Sequence, residues 1–298
     1  MCGIVGLFLK DPGLEPQLGA LLTDMLITMT DRGPDSAGIA IYRRATAGQA
    51  KLTVQSADPD RDFATLAADL GRAIAAPVSA VIKDSHIVLG LPAAQLDAAR
   101  AALRALRPEA RVMSAGEGIE IYKEVGLPRE VAARFDLARM SGTHGIGHTR
   151  MATESAVTTM GAHPFSTGPD QCLVHNGSLS NHNSVRRKLK KAGMTFETEN
   201  DTEVAAAFIS HKLHDGAALG AAMEATLTDL DGFFTFVVGT KSGFGVVRDP
   251  IACKPAVMAE TGQYVAFGSE YRAMVGLPGI DTARVWEPEP ATVYFWER

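Results

Sequence analysis

Apolar residues recur at helical or strand-like spacing along most of the chain. From Leu18 to Met29 they fall on one face of a helix, which Gly33 and Pro34 end, and AGIAIY at 37–42 then predicts a strand. Strands are also predicted for GIVGLF, HIVLGL, IEIYKEV, GFFTFVVGT, GFGVVRDP, YVAFGSE and TVYFW. Further helices are predicted at 63–74 and 96–106, and two amphipathic ones at 202–214 and 217–230.

The order of these elements predicts an α+β domain of packed sheet and helix layers, because strands dominate both ends of the chain and helices lie between them. This domain is expected to consist of residues 1–44 and 141–298. Residues 45–140 differ from the rest of the chain in their sequence pattern and predict a compact α/β insertion. Since the insertion contains no convergent polar motif, we expect it to form a surface for a partner protein and to take no part in the pocket.

The composition excludes several classes of function. With 298 residues, 46% hydrophobic and 21% charged, the chain is typical of a soluble globular protein, and a net charge of -5 argues against nucleic-acid binding. No apolar run is long enough to span a membrane, and no secretory signal is evident, so the expected location is the cytoplasm. Three widely separated cysteines, Cys2, Cys172 and Cys253, argue against a disulfide framework or a metal site, and no metal is expected.

Cys2 is the first candidate for chemistry. If the initiator methionine is removed, this residue carries a thiol and a free α-amine, which titrate at about 8.5 and about 7.7–8.0 in model peptides. One residue would then supply a nucleophile beside a base poised near neutral pH. The alternative is that Cys2 is a small buried hydrophobe near the end of the chain.

Four further residues fit the binding of a free α-amino acid and attack on its side-chain carbonyl. The amide of Asn176 and the backbone N–H of Gly177 in VHNG can stabilise an oxyanion, although Asn-Gly is also a common hairpin turn. The guanidinium of Arg150 can grip a carboxylate. Asp201 can hold an ammonium group, or it can simply cap the helix that begins near Thr202.

The motifs of this chain resemble those of class II glutamine amidotransferases, which are N-terminal-nucleophile hydrolases with a four-layer αββα core. The motifs that carry the resemblance occur in the family's order: MCGIVG, DRGPDSAG, GHTRMAT, HNGSLSN, NDTE and RDP. The resemblance covers the whole chain apart from the insertion. It implies that Cys2 is the nucleophile with its own α-amine as base, and that Asn176 and Gly177 form the oxyanion hole.

The resemblance also implies how the substrate is held. Arg150 would bind the glutamine α-carboxylate, Asp201 its α-ammonium group, and Thr153 would line the pocket. Arg32 in DRGPDSAG would support the nucleophile without reacting. Glu154 departs from the histidine or small residue found here in many members, and a carboxylate near the substrate's carboxylate is expected to weaken glutamine binding.

The resemblance further implies a hetero-oligomer. The chain shows no ammonia-consuming domain and no nucleotide-binding glycine motif, so we expect separate partner subunits and no cofactor in this chain. Its layout resembles the amidotransferase-like subunit of N-methylglutamate synthase, whose glutamate-synthase-like partners would carry FMN and iron–sulfur clusters. The joint reaction would convert methylamine and glutamate into N-methylglutamate and ammonia. Two alternatives are a glutaminase subunit of a glutamate-synthase-like complex and a scaffold subunit that has lost activity.

Overall fold

The computed structural model describes residues 2–152 and 156–298. Its strands are β1 (Gly3–Leu9), β2 (Ser36–Tyr42), β3 (Gln49–Gln55), β4 (Ser79–Lys83), β5 (His86–Pro92), β6 (Arg111–Gly116), β7 (Ile119–Val125), β8 (His144–Arg150), β9 (Cys172–Leu179), β10 (Gly232–Gly239), β11 (Gly243–Arg248), β12 (Val257–Glu260), β13 (Tyr264–Gly268), β14 (Arg284–Trp286) and β15 (Val293–Glu297). Its α-helices are α1 (Leu18–Thr28), α2 (Pro59–Phe63), α3 (Leu66–Ile74), α4 (Leu96–Leu106), α5 (Pro128–Arg134), α6 (His182–Lys191), α7 (Asp201–His214), α8 (Leu219–Glu224) and α9 (Thr226–Asp229).

Two antiparallel sheets pack face to face between layers of helices. The larger sheet has the order β14-β12-β13-β1-β8-β2-β7, and the smaller has the order β15-β11-β10-β9. One apolar cluster fills the space between the sheets and includes Ile4, Ile146, Val174 and Phe244. A second joins α1 and α5 to the outer face of the larger sheet, and a third joins α6, α7 and α8 to the smaller one. The predicted α+β class and the αββα layering are confirmed.

The helix predicted at 202–214 is present as α7, but it is not amphipathic. Every residue from Thr202 to Ser210 is buried, because α6, α8 and strand β9 all pack against the helix. The helix predicted at 217–230 forms the two short helices α8 and α9. No helix within the described residues is long and apolar enough to cross a membrane.

The region predicted as an insertion contributes to two different sheets. Strands β3 to β6 form a separate four-stranded sheet in the order β4-β5-β3-β6, and its own apolar core lies against α3 and α4. Strand β7 instead pairs with β2 along its whole length, from Ser36 opposite Val125 to Tyr42 opposite Ile119. The separate module therefore lies between Gln49 and Gly116, and the chain leaves and rejoins the larger sheet at neighbouring positions.

Candidate active site

Cys2 lies at the end of the larger sheet, immediately before β1. Gly3 pairs with Thr149 of β8, which places Cys2 beside the end of β8 where Arg150 lies. Two side chains donate hydrogen bonds to the carbonyl oxygen of Cys2: Nε of Arg32 at 3.0 Å and Nδ2 of Asn176 at 3.3 Å. The residue is half-buried. Both sheets therefore hold this residue, because Asn176 belongs to the smaller sheet.

Asn176 and Gly177 lie within strand β9, so the alternative of an Asn-Gly hairpin turn is wrong. Both pair with β10, Asn176 with Thr235 and Gly177 with Phe234. Gly177 has φ +150°, and a Cβ at this position would lie 1.9 Å from the carbonyl oxygen of Phe233. Only glycine fits this close approach between strands. The residue that follows the buried Asn176 must therefore be glycine.

Arg150 ends β8 and is buried at 6% exposure. Its Nη1 donates to the carbonyl oxygen of Ala156 at 3.3 Å. Asp35 holds the backbone at and after Arg150. Its N–H donates to the carbonyl of Arg150, and its carboxylate accepts from the N–H of Ala152. The predicted pocket residue Thr153 and its neighbour Glu154 lie outside the described residues.

Asp201 is the first residue of α7, yet it is not the cap of this helix. The cap is Asn200, whose side-chain oxygen accepts from the N–H of Thr202 at 2.8 Å. The carboxylate of Asp201 instead accepts from the N–H of Leu179 at 3.0 Å and lies 3.7 Å from Nδ1 of His175. The helix-cap alternative is therefore wrong, and this carboxylate reaches back to the strand that carries Asn176.

The environment of Asp201 keeps its carboxylate ionised. Burial raises the pKa of this carboxyl group, but contact with His175 and the hydrogen bond from Leu179 outweigh burial and lower the pKa to about 2. A fixed negative charge at the edge of the site is suited to an ammonium group.

Three residues at the site, Ser269, Glu270 and Arg272, are not predicted as site residues by the sequence. Glu270 accepts a hydrogen bond from Nη1 of Arg32 at 2.8 Å and pairs with Nε of Arg272 at 2.6 Å. Ser269 accepts from the N–H of Ile4 at 2.9 Å and so anchors the start of β1. The sequence signal was only that Ser269 and Glu270 end the predicted strand YVAFGSE, which says nothing of a contact with residues near position 32.

His148, His163 and His175 are buried beneath the site. The rings of His148 and His163 are 4.1 Å apart, and Nε2 of His148 donates to the carbonyl of His175 at 3.0 Å. Burial lowers the pKa of His148 to about 3 and that of His163 well below the usual range, so both are neutral at pH 7. Among the described residues, no group of three or more histidine, cysteine or acidic side chains could hold a metal ion.

Comparison with known proteins identifies the family. Residues 148–276 match the family model described as glutamine amidotransferase domain. The chain is 69% identical over 297 residues to the glutamine amidotransferase-like protein GlxB of Rhizobium meliloti, and the match covers 100% of this chain and 98% of the relative. The chain belongs to the class II glutamine amidotransferase family. The resemblance inferred from the six motifs is thereby confirmed.

More distant members of the family match part of this amidotransferase chain or share its fold. Glutamine–fructose-6-phosphate aminotransferase of Shewanella oneidensis is 36% identical over 116 residues, which are 39% of this chain and 19% of that enzyme. The solved structure of glutamine phosphoribosylpyrophosphate amidotransferase from B. subtilis superposes with a TM-score of 0.63 at 19% identity, over 99% of this chain and 47% of the other. That likeness shows the fold of N-terminal-nucleophile amidotransferases in this protein.

Proposed function

We propose that this protein is an amidotransferase subunit in which Cys2 attacks the side-chain amide of glutamine. The observation that carries the proposal is the double contact on the carbonyl of Cys2, from Arg32 on one side and Asn176 on the other. This contact fixes the residue between the two sheets, at the end where Arg150 and Asp201 also lie. A structural cysteine would need no such arrangement of polar groups around its backbone.

The chemistry follows from the residue types. After removal of the methionine, the free α-amine of Cys2 takes the thiol proton, and the thiolate attacks the δ-carbon of glutamine. The amide of Asn176 and the N–H of Gly177 stabilise the tetrahedral oxyanion. Collapse returns the proton to the leaving nitrogen and releases ammonia, leaving a γ-glutamyl thioester. Water, or another amine, then attacks the thioester and restores the thiol.

The substrate is held by complementary charges. Arg150 binds the α-carboxylate through its planar guanidinium, and the ionised carboxylate of Asp201 binds the α-ammonium group. Thr153 lines the pocket in this proposal, and Arg32 positions Cys2 without reacting. Glu154 is expected to weaken glutamine binding, and its removal would then lower the KM for glutamine.

Hydrolysis of glutamine leaves glutamate, and we propose the setting of an N-methylglutamate synthase complex whose partner subunits join this glutamate to methylamine with release of ammonia. In the glutaminase alternative, the ammonia itself passes to the partner subunit. Its glutamate-synthase-like subunits would supply FMN and iron–sulfur clusters, and a complex of this kind fits a cytoplasmic protein. The insertion offers a surface for such a partner. Strand β4 lies at the edge of its sheet, and Val81 and Ile82 on this strand are each 57% exposed. Exposed apolar side chains on an edge strand are typical of a docking surface.

The experiment is a glutaminase assay of the purified protein with and without its co-purifying partners. The Cys2→Ala variant is expected to lose activity, whereas Cys253→Ala, which changes an exposed cysteine, is expected to retain it. Mass spectrometry should show the mature chain without its methionine. Equal rates for the wild type and Cys2→Ala would end the proposal and favour the scaffold alternative.

The choice between the two enzymatic roles depends on the acceptor. Proteins that co-purify from native cells should include flavin and iron–sulfur subunits, and the complex should form N-methylglutamate from methylamine and glutamate. A complex that forms only glutamate from glutamine would instead identify a glutaminase subunit of a glutamate-synthase-like enzyme.

A further inference from the structure

A cleft of about 520 Å³ lies between the insertion and the amidotransferase domain. One wall consists of α4 and the segment leading into β6, and the other of residues 165–168 and 193–198. None of the residues around Cys2 described above lines it. Its volume falls within the range of small-molecule sites, which is about 300–1,000 Å³.

The insertion wall of this cleft is strongly cationic. Arg100 and Arg104 are one turn apart on α4, so both side chains project from the same face of this helix into the cleft. Among the described residues, neither forms an ion pair with an acidic side chain. Arg111 lines the same wall, and its Nη1 donates only to the carbonyls of Pro108 and Ala110. Three guanidinium groups therefore line the same wall, and none of them is paired with a carboxylate in the part of the chain that the structure describes.

A fourth cation, Lys123 on β7, is buried at the inner side of the cleft. Its Nζ donates to the carbonyls of Ala162 at 2.8 Å, Pro164 at 3.3 Å and Met160 at 3.4 Å. Burial lowers the pKa of Lys123 to about 8. An anion nearby would stabilise the protonated form of this side chain by its charge.

The opposite wall carries two carboxylates, Glu197 and Glu203, and their charges favour the protonated form of Lys123. The carboxylate of Glu203 is buried and already accepts from the N–H groups of Glu197 and Thr198, each at 2.8 Å, and from the hydroxyl of Thr198. Glu197 has an exposed side chain at the rim. The cleft thus contains four cations against two carboxylates, and within the described residues neither carboxylate forms an ion pair with Arg100, Arg104 or Arg111.

We propose that this cleft binds a small organic anion carrying a carboxylate or phosphate group, held by Arg100, Arg104 and Arg111. Guanidinium groups bind both kinds of oxyanion through paired N–H donors. The site is distinct from the glutamine site and adds a second ligand to the protein. A small molecule fits a cleft of this volume better than the flat contact that a folded partner would make.

The test is calorimetric titration of the full chain with four probes: succinate, citrate, inorganic phosphate and glycerol 3-phosphate. At least one probe is expected to bind saturably, and comparison of the carboxylates with the phosphates identifies the class of ligand. In the double variant Arg100→Gln/Arg104→Gln the dissociation constant should rise at least about tenfold, because two charge-assisted contacts are lost. Both side chains are at least partly exposed, so the variant is expected to fold, and the single Arg104→Gln variant should show a smaller loss.

Arg129→Gln is the matched control, since Arg129 is exposed on α5 and does not line the cleft. This variant should bind the probe with unchanged affinity. The proposal is overturned if no probe binds saturably at millimolar concentration, or if the double variant binds as tightly as the wild type. Binding that glutamine displaces would belong to Arg150 and would also overturn it. Because the readout is heat of binding, the result stands independently of glutaminase activity.

Discussion

Arg32 and Glu270 are 238 positions apart in the chain, yet Nη1 of Arg32 lies 2.8 Å from a carboxylate oxygen of Glu270. The same guanidinium donates to the carbonyl of Cys2 through Nε at 3.0 Å. Glu270 therefore sets the direction from which Arg32 approaches the nucleophile. Arg272 pairs with the other carboxylate oxygen of Glu270. The carboxylate therefore links two guanidinium groups, and that of Arg32 contacts Cys2.

Glu270→Gln is predicted to lower kcat/KM for glutamine about fivefold, equivalent to about 1 kcal/mol. The effect is modest because the carboxylate is about one-third exposed, which screens the ion pair. Steady-state glutaminase kinetics would measure it. Glu260→Gln is the matched control, because Glu260 forms a similarly exposed pair with Lys10 far from the site. Equal losses in both variants would contradict a positioning role for Glu270.

Gly177→Ala is predicted to destabilise the protein by about 3 kcal/mol or more and to abolish glutaminase activity. The added Cβ would meet the carbonyl of Phe233 at 1.9 Å, and φ is +150°. Chemical denaturation would measure the loss. Gly216→Ala also places alanine at positive φ, but nothing lies within 4 Å, so it should cost only about 1–2 kcal/mol. If the two variants were equally stable, the close approach between the strands would not be a constraint.

Asp201→Asn is predicted to raise the KM for glutamine by roughly 10- to 100-fold with a smaller change in kcat, because a charge-assisted contact is lost. Asparagine still offers an oxygen to the N–H of Leu179, so the fold should persist. The pKa of about 2 further predicts that this carboxylate does not titrate in a KM profile between pH 5 and 8. Asp215→Asn, at the opposite end of α7, should leave KM unchanged.

Acid is predicted to destabilise the protein through its buried histidines. Burial lowers the pKa of His86, His144 and His148 to about 3 in each case. Between pH 6.5 and 3 the unfolded chain binds protons that the folded one does not, so the free energy of unfolding falls as the pH falls. Each of these histidines contributes roughly 1 kcal/mol per pH unit across this range.

The measurement is the free energy of unfolding in urea at pH 6 and pH 5. His144→Asn should show a weaker pH dependence than the wild type, whatever its absolute stability, because one buried imidazole is gone. His214→Asn removes an exposed histidine and should follow the wild-type curve. If the free energy of unfolding of His144→Asn fell with pH as steeply as that of the wild type, this account would be contradicted.

The sequence predicted the parts of the site that lie within short motifs. Cys2, Arg150 and Asn176 were found from their motifs, but of the strands at which they lie only β1 is predicted from its apolar pattern. Strands β8 and β9 are not predicted, and it is β-pairing that brings the strand ends together. Glu270 could not be found in this way, because its partner Arg32 is remote in the chain and their contact depends on how β13 packs beside β1.

The spacing of apolar residues also fails to predict which side of a helix faces the core when the helix is buried on all sides. Helix α7 has no polar face, since it is covered on several sides, so its 3.6-residue pattern carries little information about which residues face the core. Strand β7 shows a related difficulty. The sequence predicts a strand at IEIYKEV, but the membership of this strand in the larger sheet follows from pairing with β2, which no local pattern specifies.

Tyr42 and Ile119 face each other on adjacent strands, and the module between Gln49 and Gly116 enters and leaves the larger sheet next to this pair. A two-residue turn between Tyr42 and Ile119 would be enough to join β2 and β7 into a β-hairpin with the same pairing register. We expect this junction to accept the gain, loss or exchange of an accessory module without a change in the geometry around Cys2. The amidotransferase framework can thus acquire new recognition properties at this point independently of its own chemistry.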